Sequence, residues 1–279
     1  MNKTDFTKII YNDVYHSYEY EGHILESVTT VIKRFIPRFP RKEILARKAA
    51  ETGRTIQEIQ NQWDKKGEYS MALGTLVHAY VESLIDGRVD PVVKRINTLH
   101  PQIHAADNCW EELRSKFDAI LYKKEWIIGD VDFQVGGRID VILDLKIRDQ
   151  RKLCIVDWKT GKFSDDKLIH YSWQTSLYRL IIERNTELQL YDPYIIHFRD
   201  DGKFMLYPTY DFRDKLLEGL SNGCYNSTTE KHIKGVIIML SKINQSVINN
   251  VSKRTARALS AAMSNCANMI EETLLDRDE

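Results

Sequence analysis

The sequence predicts an α/β fold in which a central mixed β-sheet is flanked by helices, and three observations support this prediction. The spacing of apolar residues is helical over 41–87, extended over 125–160 and helical again over 167–185. The 279 residues are 43% apolar, which is enough for one large core or two modest ones. The chain contains no repeat and no low-complexity linker, so one elaborated domain with helical flanks is predicted.

Residues 1–70 are predicted to form a hairpin followed by helices. Polar and apolar residues alternate in YHSYEYEGHIL, which indicates a small hairpin turning near Gly22. Ser27 is a candidate N-cap for a helix through VTTVIKRF. Pro37 and Pro40 then interrupt helix formation.

Three helical segments are predicted before the sheet. Helical spacing covers 41–87, with a break near 67–74, and its second half contains GTLVHAYVESLI, whose apolar residues form one stripe. A further helix is predicted over 102–122, directly after Pro101.

The centre of the predicted sheet comes next. The segments EWIIGDVDFQVGGRIDVILDLK and KLCIVDWKT are rich in strand-forming residues, and the polar IRDQR between them predicts a turn. KLIHYSWQTSLYRLIIERN returns to helical spacing, and YIIHFRDDGKFMLYP predicts a second hairpin turning at Asp201 and Gly202. Residues 211–279 are predicted to form a helical extension, with a last helix over 252–275 that packs on the core or binds a partner protein or a second copy.

Composition limits the classes of function. Forty Lys and Arg residues balance forty Asp and Glu residues, so the chain lacks the overall positive charge of proteins that coat nucleic acid non-specifically. The four cysteines form no CxxC pair, which predicts reduced thiols and neither a zinc knuckle nor an iron–sulfur loop. No stretch resembles a signal peptide or a membrane span. A cytoplasmic protein without a membrane partner is expected.

Two aspartates and a lysine are predicted to converge on the central strand pair. The turn is centred near Asp149. Asp140 then falls opposite Asp157 or Trp158. Asp157 and Lys159 lie on one face, because side chains alternate along a strand. Cross-strand neighbours approach within roughly 5 Å, so two carboxylates and an ammonium group come together.

Such a cluster is typical of a metal site that acts on phosphate. Two nearby carboxylates repel each other, and a divalent cation such as Mg²⁺ prefers their oxygens and commonly shares its shell with phosphate. A surface hairpin with an exposed Asp–Lys pair is the alternative. Two observations favour the site: Asp157 follows the apolar run LCIV, and Asp140 follows Gly136 and Gly137, where a backbone can bend or approach a ligand closely.

Four segments, GTLVHAYVE, GGRIDVIL, CIVDWKTGK and WQTSLY, contain in order a histidine, an aspartate, an aspartate-x-lysine pair, and a glutamine with a tyrosine. This order resembles the PD-(D/E)xK nuclease superfamily, specifically its RecB-like exonuclease branch, over about 73–178. YEYEGHILESVTTVI is similar to the N-terminal hairpin and helix of phage-type and mitochondrial single-strand exonucleases in that branch. Ile139 stands where the superfamily motif has proline. The resemblance implies a restriction-endonuclease-like core at 71–210, between an N-terminal region at 1–70 and a C-terminal extension at 211–279.

The resemblance also implies roles for individual residues. The implied metal ligands, for Mg²⁺ or Mn²⁺, are His78, Asp140, Asp157 and the main-chain carbonyl of Trp158. Lys159 is the implied catalytic lysine, and Gln174 and Tyr178, four residues apart on one helix face, would organise the site and hold DNA. Glu125 resembles an upstream acidic residue of the branch. The cysteine cluster of iron–sulfur relatives is absent, so no such cluster is expected.

Structural roles remain open for some of these residues. A histidine on an amphipathic helix is often a structural residue, and Gln174 and Tyr178 could simply line the rim of a core. Glu82, four residues after His78, is expected to be a solvated or hydrogen-bonded neighbour, because a zinc site would need another histidine or cysteine nearby.

A basic segment in the N-terminal region is a candidate DNA channel. KRFIPRFPRKEILARK interleaves basic residues with Phe35 and Phe39, and such residues contact phosphates and stack on unpaired bases. The alternative is a solvated helix face with two core phenylalanines. Lys162, just after the second strand, is a candidate phosphate contact by position.

The leading hypothesis is a metal-dependent DNA exonuclease that acts on single-stranded or end-containing DNA in replication, recombination or repair. A structure-specific DNA endonuclease is the second hypothesis. A catalytically weak DNA-binding or partner-docking module is the third. Circular single-stranded DNA discriminates between the first two, because an exonuclease that needs a free end leaves it intact.

Overall fold

The computed structural model describes residues 3–12, 17–37, 39–89 and 100–221. Arg38 of the basic segment and the helices predicted for 222–279 lie outside the described residues. The strands are β1 Ile9–Asn12, β2 Ser17–Tyr20, β3 His23–Ser27, β4 Ile120–Asp130, β5 Val135–Ile147, β6 Gln150–Lys159, β7 Leu190–Phe198 and β8 Phe204–Pro208. The helices are α1 Val28–Val31, α2 Arg41–Thr52, α3 Ile56–Ile85, α4 Pro101–Phe117, α5 Asp165–Asn185 and α6 Arg213–Ser221.

The described strands form one eight-stranded mixed sheet, which confirms the predicted fold class. Its order is β1-β2-β3-β5-β6-β7-β8, with β4 paired to β5 as well. β3 runs parallel to the start of β5, β6 runs antiparallel to the later half of β5, and β7 runs parallel to β6. The N-terminal hairpin β2–β3 therefore joins the central sheet. The predicted boundary at 70 falls inside α3, and the division into three parts stays a prediction.

Hydrophobic clusters cover both faces of the sheet. On one face, α5 buries Trp173 and Leu177 against Ile155 of β6. On the other, α3 and α4 pack against Val156 and Trp158 of the same strand. This alternation is the period-two pattern expected of β6, and it leaves Asp157 and Lys159 on the face of Ile155.

Local turn chemistry agrees with several predictions. Ser27 caps α1 by accepting a hydrogen bond from the main chain of Thr30. The β5–β6 hairpin turns at Arg148 and Asp149, which both have positive φ, as a two-residue hairpin loop of type I′ requires. The β7–β8 hairpin turns at 201–202, as predicted.

Two helix boundaries differ from the prediction. The break expected near 67–74 lies instead at Gly53, which ends α2 with a φ of 67°, while Thr55 opens α3 with a capping box. α3 continues through Gly67 and Gly74. The capped start of the helix and its packing against α4 outweigh the low helix propensity of these two glycines. The helix predicted over 102–122 ends at Phe117, and 120–122 belong to β4 instead, because Asp118 adopts the left-handed conformation.

The double glycine on β5 accommodates side chains of the protein itself. A methyl group on Gly136 would lie 2.7 Å from Cβ of Tyr18, and one on Gly137 would lie 2.6 Å from Cε1 of Tyr178 and 2.9 Å from Cγ2 of Val28. The interpretation of these glycines as a place where a ligand approaches is therefore wrong, because side chains of the protein fill the space beside them. Tight packing of α1, α5 and the N-terminal hairpin onto β5 is the reason for glycine here.

Gly137→Ala is expected to lower the free energy of unfolding by about 1–3 kcal/mol, because buried Tyr178 cannot move away without losing its own packing. The thermal unfolding midpoint checks this. Gly67→Ala in α3 is the matched control, since its new methyl group would meet nothing within 4 Å and alanine favours a helix interior. Equal or higher stability of Gly137→Ala relative to Gly67→Ala would contradict the packing argument.

Within the described ranges, no helix combines the length and the apolar character needed to cross a membrane.

Candidate active site

The β5–β6 register brings the two predicted aspartates together. Val141 pairs with Val156, so the next position along the hairpin puts Asp140 opposite Asp157, as the sequence predicts. Oδ2 of Asp140 accepts a hydrogen bond from the main-chain N–H of Trp158 at 3.1 Å. This bond continues the contact between β5 and β6 at the point where their ladder ends.

Lys159 forms an ion pair with Asp157 on the same face of β6. Its Nζ lies 2.5 Å from Oδ2 of Asp157, and the Asp157 residue is only 3% exposed. Burial raises the pKa of Asp157 to about 6, although the charge of Lys159 opposes this and that of Asp140 adds to it. Burial lowers the pKa of Lys159, but the two carboxylates outweigh burial and raise it above its ordinary value. Both groups of the pair are therefore ionised near neutral pH.

One carboxylate oxygen at this site is incompletely satisfied. Oδ2 of Asp157 is buried and accepts no hydrogen bond from the described residues, although the lysine charge lies close to it. The Lys159 ammonium, 2.5 Å away, offsets part of the cost of burying this anionic oxygen. One ammonium group nevertheless faces two carboxylates, and a divalent cation would balance the remaining negative charge.

α3 brings His78 to the same place. Its Nε2 lies 3.0 Å from the main-chain carbonyl of Trp158 and its Nδ1 lies 3.7 Å from Oδ2 of Asp140. A carbonyl only accepts hydrogen bonds, so Nε2 carries the proton in this arrangement. α3 comes close enough because Gly74, one turn before the histidine, has no side chain, and a methyl group there would lie only 3.3 Å from Oγ1 of Thr160.

Gln174 and Tyr178 lie together on the buried face of α5. Nε2 of Gln174 donates a hydrogen bond to the Tyr178 hydroxyl at 3.1 Å, and Tyr178 packs against Gly137. Burial raises the pKa of Tyr178 well above its ordinary value, and the charges of Asp157 and Asp140 add to the effect. The tyrosine therefore remains protonated beside the carboxylates.

A second ion pair lies near the histidine. Glu125 has a φ of 45° and forms an ion pair with Arg138 at 2.9 Å. Burial raises the pKa of Glu125, the charge of Arg138 opposes this, and the charges of Asp140 and Glu82 raise it further. Glu125 therefore lies close enough to Asp140 for the charge of that carboxylate to affect its pKa.

The structure adds Tyr171 to the residues found from the sequence. Nζ of Lys159 lies 4.7 Å from the centroid of the Tyr171 ring, which is a cation–π distance. The sequence contains a pattern that could have predicted this residue. Tyr171, Gln174 and Tyr178 stand at i, i+3 and i+7 of α5 and therefore share one helix face.

The basic N-terminal segment is only partly available for nucleic acid. Phe35 is buried and stacks on Trp173 with ring centroids 5.3 Å apart, so it belongs to the core as the alternative interpretation had it. Phe39 is 67% exposed. Arg34 is paired with Glu26 and Arg41 with Asp64. The stacking role considered for Phe35 is therefore wrong.

The donor set is chemically suited to a hard divalent cation. Among the described residues, no group of three or more His, Cys, Asp or Glu side chains stands ready as a metal cluster. The site nevertheless gathers two carboxylates, an imidazole and the Trp158 carbonyl, with one ammonium group beside the two carboxylates. Oxygen-rich donor sets of this kind suit Mg²⁺.

Comparison with known protein families identifies the superfamily of the chain. The family described as the PD-(D/E)XK nuclease superfamily matches residues 47–202, which is more than half of the chain. The chain belongs to the PD-(D/E)XK nuclease superfamily. No curated protein matches the chain significantly. Superfamily membership indicates a nuclease, a hydrolase whose substrate is nucleic acid, and PD-(D/E)XK nucleases generally use divalent metal ions.

Proposed function

We propose that this PD-(D/E)XK nuclease is a metal-dependent DNA exonuclease of the RecB-like branch, acting on single-stranded or end-containing DNA. The supporting observation is the meeting of Asp140, Asp157 and Lys159 at the end of the β5–β6 ladder, where Nδ1 of His78 on α3 lies 3.7 Å from Oδ2 of Asp140. The order of these residues in the sequence is that of the branch. A role in replication, recombination or repair accords with such an activity.

His78, Asp140, Asp157 and the carbonyl of Trp158 would hold Mg²⁺ or Mn²⁺. When bound, the ion would supply Lewis-acid polarisation of the scissile phosphate and a more acidic water. The hydrogen bond from the Trp158 main chain orients the carboxylate of Asp140, and the ion pair with Lys159 orients that of Asp157. These restraints hold the two carboxylates in place before substrate arrives.

Lys159 would contribute its charge to the reaction. Its ammonium group is held between the carboxylate of Asp157 and the ring of Tyr171, and its raised pKa keeps it protonated near neutral pH. A protonated lysine there would stabilise the negative charge that develops on the phosphate and would orient the attacking water. Gln174 and Tyr178 would support the position of α5 beside the strands and contact the DNA.

A panel of substrates tests the function. An end-labelled single strand, its duplex, the corresponding RNA and a circular single strand are incubated with Mg²⁺, Mn²⁺ or EDTA. The linear DNA strand is expected to be degraded only with metal, and the circular strand is expected to remain intact.

Each other outcome points to a definite alternative. Cleavage of the circle would indicate an endonuclease, and preferential loss of the RNA would replace the substrate class. Retention of all substrates with DNA still bound would favour the DNA-binding or partner-docking module.

A further inference from the structure

A cluster of aromatic rings extends from the candidate active site across the sheet. Lys159 on β6 pairs with His197 on β7, and Tyr207 on β8 pairs with Ile195, the residue two before that histidine. Residues paired across neighbouring strands point to the same face. Lys159, His197 and Tyr207 are therefore on one continuous surface of the sheet.

Phe163 lies over this surface. It follows β6 in the loop that leads to α5, and its ring centroid is 4.3 Å from that of Tyr207 with the planes only 14° apart. The ring of His197 lies 4.9 Å away at 27°, and the ring of Tyr171 lies 6.0 Å away. Tyr171 in turn holds the Lys159 ammonium over its face. The rings thus connect the catalytic lysine of the proposed reaction to the β8 edge of the sheet.

The loop that carries Phe163 is fixed to the sheet. Nε2 of His197 donates a hydrogen bond to the carbonyl of Gly161 at 2.6 Å, and Gly161 has a φ of 77° that favours glycine. Nζ of Lys167 donates to the carbonyl of Lys162 at 2.5 Å. The ring of Phe163 is therefore held in place over His197 and Tyr207.

The rings remain partly accessible. Phe163, Tyr171 and Tyr207 are each half-buried, whereas core aromatics such as Trp173 and Phe198 are almost fully buried. Partly exposed aromatic rings beside a lysine have the composition of a single-strand binding site, where bases stack and phosphates pair with positive charge.

We propose that Phe163, Tyr171 and Tyr207 form a stacking subsite for an unpaired base next to the scissile phosphate, with the buried ring of His197 supporting Phe163. This inference rests on the proposed nuclease function and names the substrate feature that the site selects. Bases within a duplex already stack on their neighbours, so only an unpaired strand or a frayed end offers a free face. The subsite therefore favours single-stranded nucleic acid.

The subsite is tested by measuring, without cleavage, how tightly the parent and its variants bind two different strands. The full-length protein is titrated in EDTA with a labelled oligothymidylate and with a sugar–phosphate strand of equal length that lacks bases. The two strands carry the same phosphates. The dissociation constant of the base-free strand divided by that of oligothymidylate therefore isolates the contribution of the bases. Phe163→Leu keeps apolar bulk and removes the flat ring, and it is expected to reduce this ratio about 5-fold to 100-fold.

Two further variants and a control define the result. Tyr207→Leu is expected to reduce the ratio in the same way, and Phe163→Trp is expected to retain the parent ratio. Tyr191→Leu is the matched control, because this tyrosine lies on β7 at the end opposite His197, beside Lys152. If Phe163→Leu lowers the unfolding midpoint strongly, Tyr207→Leu decides the question.

The inference is overturned if both leucine variants retain the parent ratio, including the case in which they weaken the binding of both strands by the same factor. This outcome is separate from the test of nuclease function. A protein that cleaves DNA but shows no effect of these variants on the ratio would lack the subsite and retain the function. A protein that shows the effect but cleaves nothing would retain the subsite and lose the function.

Discussion

Lys159→Met is expected to lower the rate of metal-dependent DNA cleavage by about 10³-fold, while the protein continues to fold and to bind DNA. Methionine keeps the length and apolar stem of the side chain and removes the charge that the proposed reaction uses. The variant leaves the buried carboxylate of Asp157 without its partner. The pKa of Asp157 is expected to rise further as a result, and protonation would limit the cost to stability.

The matched control for this charge is Lys146→Met. Lys146 lies on β5 near the opposite end of the hairpin and forms a surface ion pair with Asp149 at 3.5 Å, so its loss is expected to leave cleavage unchanged. Single-turnover cleavage rates and DNA dissociation constants are measured for the parent and both variants. Cleavage by Lys159→Met at the parent rate would remove Lys159 from the mechanism.

Asp157→Asn is expected to abolish both cleavage and the response of the fold to metal. Asparagine keeps the shape of the side chain but removes the negative charge that binds a cation. In the parent, Mn²⁺ at 100 times its dissociation constant would stabilise the folded state by about 2.7 kcal/mol and raise the unfolding midpoint by about 5–10 °C. Differential scanning calorimetry with and without Mn²⁺ measures this shift.

Asp149→Asn provides the control, since this hairpin aspartate is solvent-exposed and distant from the site. It is expected to keep the full metal-induced shift. An unchanged shift in Asp157→Asn would show that the cation binds elsewhere.

The same shift should depend on pH in a defined direction. Burial raises the pKa of Asp157 to about 6, and only the ionised carboxylate binds a cation. Protons therefore compete with the metal increasingly as pH falls through about 6. We expect the Mn²⁺-induced rise in the unfolding midpoint to be larger at about pH 7.5 than at about pH 5.5. An equal rise at both values would contradict a role for Asp157 as a ligand.

Local interactions explain why part of the site could be predicted from the sequence. The β5–β6 hairpin has a two-residue turn, so its register follows from nearby residues and places Asp140 opposite Asp157. Alternation along β6 then puts Lys159 beside Asp157. The cap at Ser27 and the turn near Gly22 likewise depend on a few consecutive residues.

Packing between distant elements explains what was missed. The helix through Gly67 and Gly74 is one example, because these glycines remain helical in a long helix that packs on other elements. The interpretation of Gly136 and Gly137 failed for the same reason, because the side chains that occupy their space come from β2, α1 and α5. The break before α3 is a different case, because Gly53 and the capping box at Thr55 are local signals that the prediction overlooked.

The sequence by itself determined the class of fold, the hairpin register and the order of the chemically important residues, because these depend on periodicity and short spacings. Only the tertiary structure decided that His78 reaches the Trp158 carbonyl, that Phe35 is buried, and that Phe163 stacks over β7 and β8. These contacts join elements far apart in the chain. They follow from which helix or loop covers which face of the sheet, and a local pattern carries no information about that choice.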